Sequence, residues 1–300
     1  MFEADLIPQL DCRGRTLRLD RVNIMGVLNA TPDSFSDGGQ YLSLDHSIER
    51  ARAMVAAGAD IIDVGGESTR PGAVAISVDE ECRRVVPLIE ALVPLIDVPI
   101  SVDTSRPEVM RAAVAAGAGM INDVRALRLP GALDAAAALD VPVCLMHMQG
   151  EPDSMQAAPH YDDVVAEVRR FLADRLLACE FAGIPRKRLV IDPGFGFGKS
   201  VEHNFTLLAR LSEFESLACP VLVGLSRKSM LGAVTGRAVA ERMPASVVAA
   251  VLAASRGARI VRVHDVPETR DGLSVWAALP RVEDAAARKT PSRMRWPDDD

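Results

Sequence analysis

The sequence predicts an α/β fold in which eight parallel strands, each followed by a helix, close into a (β/α)8 barrel. Three observations carry that prediction. Short β-branched runs recur eight times along the chain, with stretches of helical period between them. These runs are apolar on both faces, as strands enclosed on both sides must be. The core they imply is aliphatic, because 49% of the residues are hydrophobic and only 4% aromatic. A length of 300 residues suits a single TIM barrel of about 250 residues, and eight repeats favour it over an open, doubly wound sheet.

The elements follow in order. Gln9–Asp20, with Arg13-Gly14 as its turn, reads as a short hairpin plugging the N-terminal face of the barrel. The eight strands fall at Val22–Leu28, Asp60–Val64, Val98–Val102, Gly119–Val124, Val141–Met146, Leu189–Ile191, Pro220–Val223 and Arg259–Val263. Between them, Ser47–Ala57, Val78–Leu92, Pro107–Ala116, Tyr161–Phe181 and Ser246–Arg256 have helical period. Pro107 stands at a favoured first-turn position. Gly58 and Gly117, each flanked by alanines, mark helix ends. Residues 1–280 form one domain on this reading, and residues 281–300, with mixed charge, prolines and three terminal aspartates, read as a disordered tail.

Composition removes several function classes. A net charge of −7 argues against a general nucleic-acid or anionic-membrane binder, so any bound anion must meet a few local cations. The five cysteines are scattered, odd in number and without a C-x-x-C pair, which points to reduced thiols in a cytoplasmic protein. The N-terminus lacks a basic start and apolar stretch, so no signal peptide is expected. No apolar run is long enough to span a membrane.

Chemistry concentrates where a barrel places it, at the C-terminal ends of the strands. In chain order these ends carry Asn29; Asp63 with Gly65–Gly72; Asp103-Thr104; Asn122-Asp123; Met146-His147-Met148; Asp192–Lys199; Gly224–Ser229; and Arg262–Asp265. One polar terminus could simply cap the next helix. All eight are hard to explain that way. The carboxylates and amides Asp63, Asp103, Asn122 and Asp192 suit a flat heterocycle with several N–H donors. Lys228, Arg70, Arg262 and His264 supply local positive charge suited to a phosphate-type leaving group, unless they serve only as salt-bridge partners of those aspartates. Arg262 and His264, two apart, share one face of their strand.

The long segment after the first strand, Asn29–Gly39, has no helical or strand period and holds a single aromatic, Phe35. A ligand is the best reason to order such a loop. Other motifs fail. Gly194–Ser200 lacks the first glycine of a phosphate loop, which falls at Pro193. No Gly-x-Ser-x-Gly elbow is present, and the histidines lack metal-ligand spacing. A Mg²⁺ ion shared with a substrate phosphate fits the oxygen-rich mouth better than zinc.

Asn29–Gly39, Asp63–Gly72, Ser101–Thr104, Asn122-Asp123, Asp192–Lys199, Ser226–Ser229 and Arg262–Val266 together resemble the dihydropteroate synthases of folate biosynthesis. The resemblance runs in the family's order over roughly residues 10–280. It implies condensation of a dihydropterin carrying a CH₂-pyrophosphate with p-aminobenzoate, by a dissociative substitution. It implies a pterin pocket of Asp63, Asp103, Asn122, Met146, Asp192 and Lys228. Phe35, Thr69, Arg70, Pro71, Phe197, Gly224, Ser226 and Lys228 would surround p-aminobenzoate, and Asn29, Arg70, Arg262 and His264 the pyrophosphate. Asn29 would also ligate Mg²⁺. Asp103, Lys228, Arg262 and Asn29 would then carry the catalysis. The resemblance further implies a homodimer through the C-terminal helices and competition by sulfonamides. Ala30 stands where the family commonly has valine, and Met243-Pro244-Ala245 is unusual for it. A corrinoid-linked methyltetrahydrofolate methyltransferase would share the pterin wall but has no use for the Thr31–Ser36 loop or for Arg262 with His264. A non-catalytic paralogue has no reason to retain the charged set.

Overall fold

The strand alternation of the sequence becomes a closed, all-parallel barrel in the order β10-β3-β4-β5-β6-β7-β8-β9, with a two-stranded antiparallel hairpin at one end. The computed structural model describes residues 8–30, 40–67, 76–150, 155 and 159–279. The hairpin is β1 (Gln9–Cys12) and β2 (Arg15–Arg18). Its barrel strands are β3 (Asn23–Asn29), β4 (Ile61–Gly65), β5 (Ile100–Asp103), β6 (Met120–Asp123), β7 (Val143–Met146), β8 (Leu189–Asp192), β9 (Val221–Val223) and β10 (Ala258–Val263). The helices are α1 (Gln40–Ala56), α2 (Val78–Leu92), α3 (Pro107–Ala116), α4 (Ala132–Leu139), α5 (Val164–Phe181), α6 (Val201–Ala209), α7 (Ser229–Thr235), α8 (Met243–Ala254) and α9 (Val266–Ala277).

The predicted hairpin sits where the sequence placed it. Arg13 (φ 57°) and Gly14 (φ 82°) are both left-handed, as a two-residue hairpin turn requires. Its inner face, Leu10, Cys12, Leu17 and Leu19, packs on Met25, Ile61, Met120, Cys144, Val190, Leu222 and Ile260, one interior residue from each of seven barrel strands. Arginines then close this end. Arg15 donates to the carbonyls of Val98 (2.7 Å) and Val93 (2.6 Å), and Arg188 to those of Val141 (2.8 Å) and Ala136 (3.1 Å). Carbonyls orphaned at helix ends and strand starts thus find donors.

Outside the barrel wall, Ile24, Leu28, Ile62, Val64, Ile121, Val143 and Ile191 join the helices in the larger core. Ser77 caps α2, Asp163 caps α5 and Ser200 caps α6, each through its side-chain oxygen. Pro107 opens α3 and left-handed Gly117 closes it. The predicted helix Ser246–Arg256 begins three residues earlier, with Pro244 in its first turn. The unusual Met243-Pro244-Ala245 stretch is therefore helical. Helix α1 begins seven residues before the predicted Ser47, and α4, α6, α7 and α9 carry too little period of their own to be read from the sequence. Among the described residues no helix is long and apolar enough to cross a membrane. Residues 281–300 and Phe35, Thr69, Arg70 and Pro71 lie outside the described residues.

Candidate active site

On four strands the interior row changes from apolar to charged or amide within one step. The apolar layer over the hairpin is Ile61, Met120, Cys144, Val190, Leu222 and Ile260. Two residues further along the same strands stand Asp63, Asn122, Met146, Asp192, Gly224 and Arg262. Because side chains repeat every second residue on a strand, this upper set shares the interior with the lower one. Ser101 and Asp103 follow the same step on β5. The sequence signal for the site is therefore this i+2 switch from apolar to polar at strand ends.

Arg262 organises the upper layer. Its Nε donates to Asp63 Oδ2 at 2.6 Å and its Nη2 to Asp103 Oδ2 at 2.7 Å. Asn122 Nδ2 reaches the same Asp63 oxygen at 3.1 Å. The Asp63 side chain is fully buried, and its Oδ1 has no hydrogen-bond partner among the described residues. Burial raises the Asp103 pKa to about 7, with Arg262 opposing and the Asp63 charge reinforcing that shift. Burial pulls the Arg262 pKa down, but Asp63 and Asp103 outweigh it, so the net shift is upward and the guanidinium stays charged. The salt-bridge reading of Arg262 thus describes this state of the site, with the cation already shared by two carboxylates.

Asp192 lies across the barrel, buried at the end of β8, where its Oδ1 accepts from the Gly194 amide at 2.7 Å. Burial raises its pKa, and the charge of Lys228 opposes the shift. Burial in turn lowers Lys228 to about 8. Lys228 donates to the Phe195 carbonyl and stands 4.6 Å from the centre of the Phe197 ring. Phe197 itself packs on an apolar cluster of Val124, Met146, Met148 and Met155, separate from the main core. A polar edge and an apolar face are thereby set side by side.

Two turns hold these groups. The Gly194–Gly198 turn has left-handed glycines at 194, 196 and 198. A Cβ at Gly194 would lie 1.8 Å from the His147 carbonyl oxygen, and one at Gly198 2.3 Å from that of Gln149. Only glycine allows the two backbones to pack this closely. Asn204, buried on α6, accepts from the Gly196 amide at 2.7 Å. The second turn, after β9, holds Arg227 left-handed (φ 58°). Its guanidinium pairs with Asp265, and its amide donates to Ser246 Oγ at 2.9 Å. Ser226 Oγ accepts from the His264 amide at 3.2 Å and lies 3.0 Å from His264 Nδ1.

His264 departs from its expected role as a cation. Burial first, then the charges of Arg262 and Arg227, lower its pKa to about 4. Near neutral pH it offers a hydrogen bond rather than a charge. Asn29 is exposed at the end of β3. A Cβ on Gly65 would come within 3.9 Å of Asn29 Oδ1 and 3.6 Å of the Asp103 Cβ, so these two side chains flank one glycine. Asp123, which shares a strand end with Asn122, faces away from the interior. It accepts from Ser105 Oγ and from the Arg125 (2.8 Å) and Leu127 (2.7 Å) amides, so it holds the turn after β6, while α4 starts from Gly131 with no side-chain cap. Lys199, His147 and Asn204 support the site from behind and were not among the expected site residues. Among the described residues no group of three or more His, Cys, Asp or Glu could hold a metal ion by itself. A cavity of about 590 Å³ lies at the hairpin end beside Arg13, Arg111 and Asp140, away from this chemistry.

Residues 25–264 match the family model described as "Pterin binding enzyme". Dihydropteroate synthase of Escherichia coli (strain K12) is 54% identical over 267 residues, covering 89% of this chain and 95% of that protein. The structure of Xanthomonas albilineans dihydropteroate synthase with 4-aminobenzoic acid is 58% identical, covers 91% of this chain and all of that one, and superposes with a TM-score of 0.86. A second structure of that enzyme, in complex with 7,8-dihydropteroate, is 52% identical over 91% of this chain and all of that one, with a TM-score of 0.82. A polar barrel mouth built from the ends of its strands, in a chain this similar to those proteins, leads to one conclusion: the chain belongs to the dihydropteroate synthase family of pterin-binding enzymes.

Proposed function

We propose that the protein condenses 6-hydroxymethyl-7,8-dihydropterin pyrophosphate with p-aminobenzoate, forming a C–N bond as the C–O bond to pyrophosphate breaks, and releasing 7,8-dihydropteroate, pyrophosphate and a proton. The observation that carries this reading is the wall of Asp63, Asp103, Asn122 and Asp192, drawn from four strands and buried beside a lysine and a shared arginine. Such a wall offers acceptors to the amino and ring N–H groups of a pterin, and the orphaned Asp63 Oδ1 is costly unless a donor reaches it. Met146 and Phe197 supply the apolar surface for the rings. The relatives with bound 4-aminobenzoic acid and dihydropteroate support the same pair of substrates.

The amine of p-aminobenzoate is neutral at pH 7, so departure of pyrophosphate is the harder step. Arg262, His264 and Asn29, at the ends of β10 and β3, face the departing group. The buried carboxylates stabilise positive charge developing on the pterin methylene. Asn29 would hold a Mg²⁺ through its one neutral side-chain oxygen, a donor of the hard type that this ion prefers. When bound, that ion supplies Lewis-acid stabilisation of the leaving charge. Gly224, Ser226 and Lys228 form the floor beneath p-aminobenzoate; Phe35, Thr69, Arg70 and Pro71, assigned to the same substrate by the resemblance, lie outside the described residues.

The protein acts in the cytoplasm, in keeping with free thiols at all five cysteines. It works as a homodimer through the apolar side chains that α8 and α9 expose, Val248, Leu252 and Val275. The test of function is dihydropteroate formation from the two substrates with Mg²⁺. Folded protein that binds pterin pyrophosphate yet forms no product would instead identify a non-catalytic paralogue.

A further inference from the structure

We propose that Lys199 is a positioning residue for the second substrate, holding the Gly194–Phe197 turn so that the Phe197 ring stands beside p-aminobenzoate. The proposal rests on the function given above. Lys199 Nζ lies 2.9 Å from the Gly194 carbonyl oxygen, 3.0 Å from that of Phe197 and 2.9 Å from His147 Nδ1. With the His147 carbonyl oxygen at 3.5 Å, these acceptors surround the amino group of a residue only 3% exposed. The two carbonyls are the ends of the turn, which the Phe197 amide closes by donating to Gly194 at 3.2 Å. Among the described residues no carboxylate lies within ion-pair distance of this nitrogen.

The third acceptor ties the turn to the core. His147 Nδ1 can accept only when unprotonated, and burial together with the Lys199 charge pushes the His147 pKa down to about 2. The His147 ring is held edge-on by Phe171, with centroids 4.9 Å apart. Tyr161, 6.1 Å from the same ring, donates its hydroxyl to the Gly198 carbonyl at 2.8 Å. Lys228 grips the same turn from the opposite side, at Phe195. A hydrophobic residue in place of Lys199 would fill the space, but it would take away the ammonium donor that the Phe197 carbonyl accepts and leave the Gly194 carbonyl with the Phe197 amide alone.

The two substrates depend on this strut unequally. Asp192 belongs to β8 itself, and its carbonyl accepts from His147 N at 2.9 Å, so the pterin wall is held by the barrel ladder. Phe197 belongs to no strand and stands in the turn that follows β8. Loss of Lys199 therefore acts on the aromatic side of the site first.

The experiment compares wild type, Lys199→Met, Phe197→Ala and the double variant, with steady-state kinetics for both substrates and calorimetry of pterin pyrophosphate. Wild-type turnover tests the proposed function separately. Lys199→Met is expected to raise KM for p-aminobenzoate about tenfold while pterin affinity changes less than about threefold. Added to Phe197→Ala, it should raise that KM little further, since both act through one ring. Lys199→Arg should restore part of the loss. Additive effects in the double variant, or equal losses for both substrates, would overturn the proposal. His147→Leu removes one acceptor and leaves Lys199 in place. An unchanged KM for p-aminobenzoate in that variant would also overturn it, even if Lys199→Met does not fold.

Discussion

Arg262 donates to Asp63 at 2.6 Å from a strand that is not Asp63's neighbour: β3 lies between β10 and β4, and the guanidinium spans it. It continues to Asp103 on the next strand. One side chain therefore bridges three strand gaps of the barrel mouth and shares a single positive charge between two carboxylates.

Removing that cation should cost both stability and chemistry. We predict that Arg262→Met lowers unfolding free energy by about 3 kcal/mol, the usual penalty for a buried charge left without its partner. Asp103 already titrates near 7, so its contribution to stability is present at acid pH and fades as pH rises through 7. The deficit should be larger at pH 8 than at pH 5 in urea melts. A pH-independent deficit would mean that the carboxylates do not repel.

Asp192 should matter to pterin alone. Asp192→Ala is predicted to weaken pterin pyrophosphate binding by about 100-fold or more, because the ligand's donors would lose their acceptor. Calorimetry with unchanged affinity would remove Asp192 from the pterin wall.

Lys228 sets an alkaline limit. Its pKa of about 8 places its deprotonation inside the working range. The free enzyme's kcat/KM for the pterin substrate should fall as pH rises through 8. Lys228→Arg should lower the plateau and erase that limb, and a limb that survives the substitution belongs to another group.

His264 should report anion binding by taking up a proton. With a pKa near 4, it is neutral at pH 6 in the free protein, and a bound pyrophosphate would raise that value. Calorimetry at pH 6 in buffers of different ionisation enthalpy should show net proton uptake. The uptake should disappear in His264→Gln.

The hairpin should be separable from all of this. Leu17→Ala opens a cavity in the layer opposite the mouth and is predicted to cost about 3 kcal/mol of stability. KM values for both substrates should stay unchanged, and a shift in either would show that the two ends of the barrel are coupled.

How far the sequence could be read followed from what each residue answers to. The eight strands, the hairpin turn at Arg13-Gly14 and the inward Asp63, Asn122 and Asp192 were legible because strand period and turn chemistry are local. Helix α4, with the sequence Ala132–Leu139, was not, since an alanine-rich surface has no polar face to mark it. Asp123 and Asn122 look equivalent as letters, yet the pleat sends Asn122 to the site and Asp123 to the turn that follows β6. The lowered pKa of His264 and the sharing of Arg262 depend on burial and on partners up to 199 positions away, which no window of sequence contains.

The glycines at 194, 196 and 198 bring one last consequence. Their backbone lies so near His147 and Gln149 that an added methyl group at 194 or 198 would overlap a carbonyl oxygen. This stretch of wall has almost no freedom to drift under selection. An inhibitor that draws its affinity from these backbone atoms, rather than from the mouth loops, would leave the protein few routes of escape.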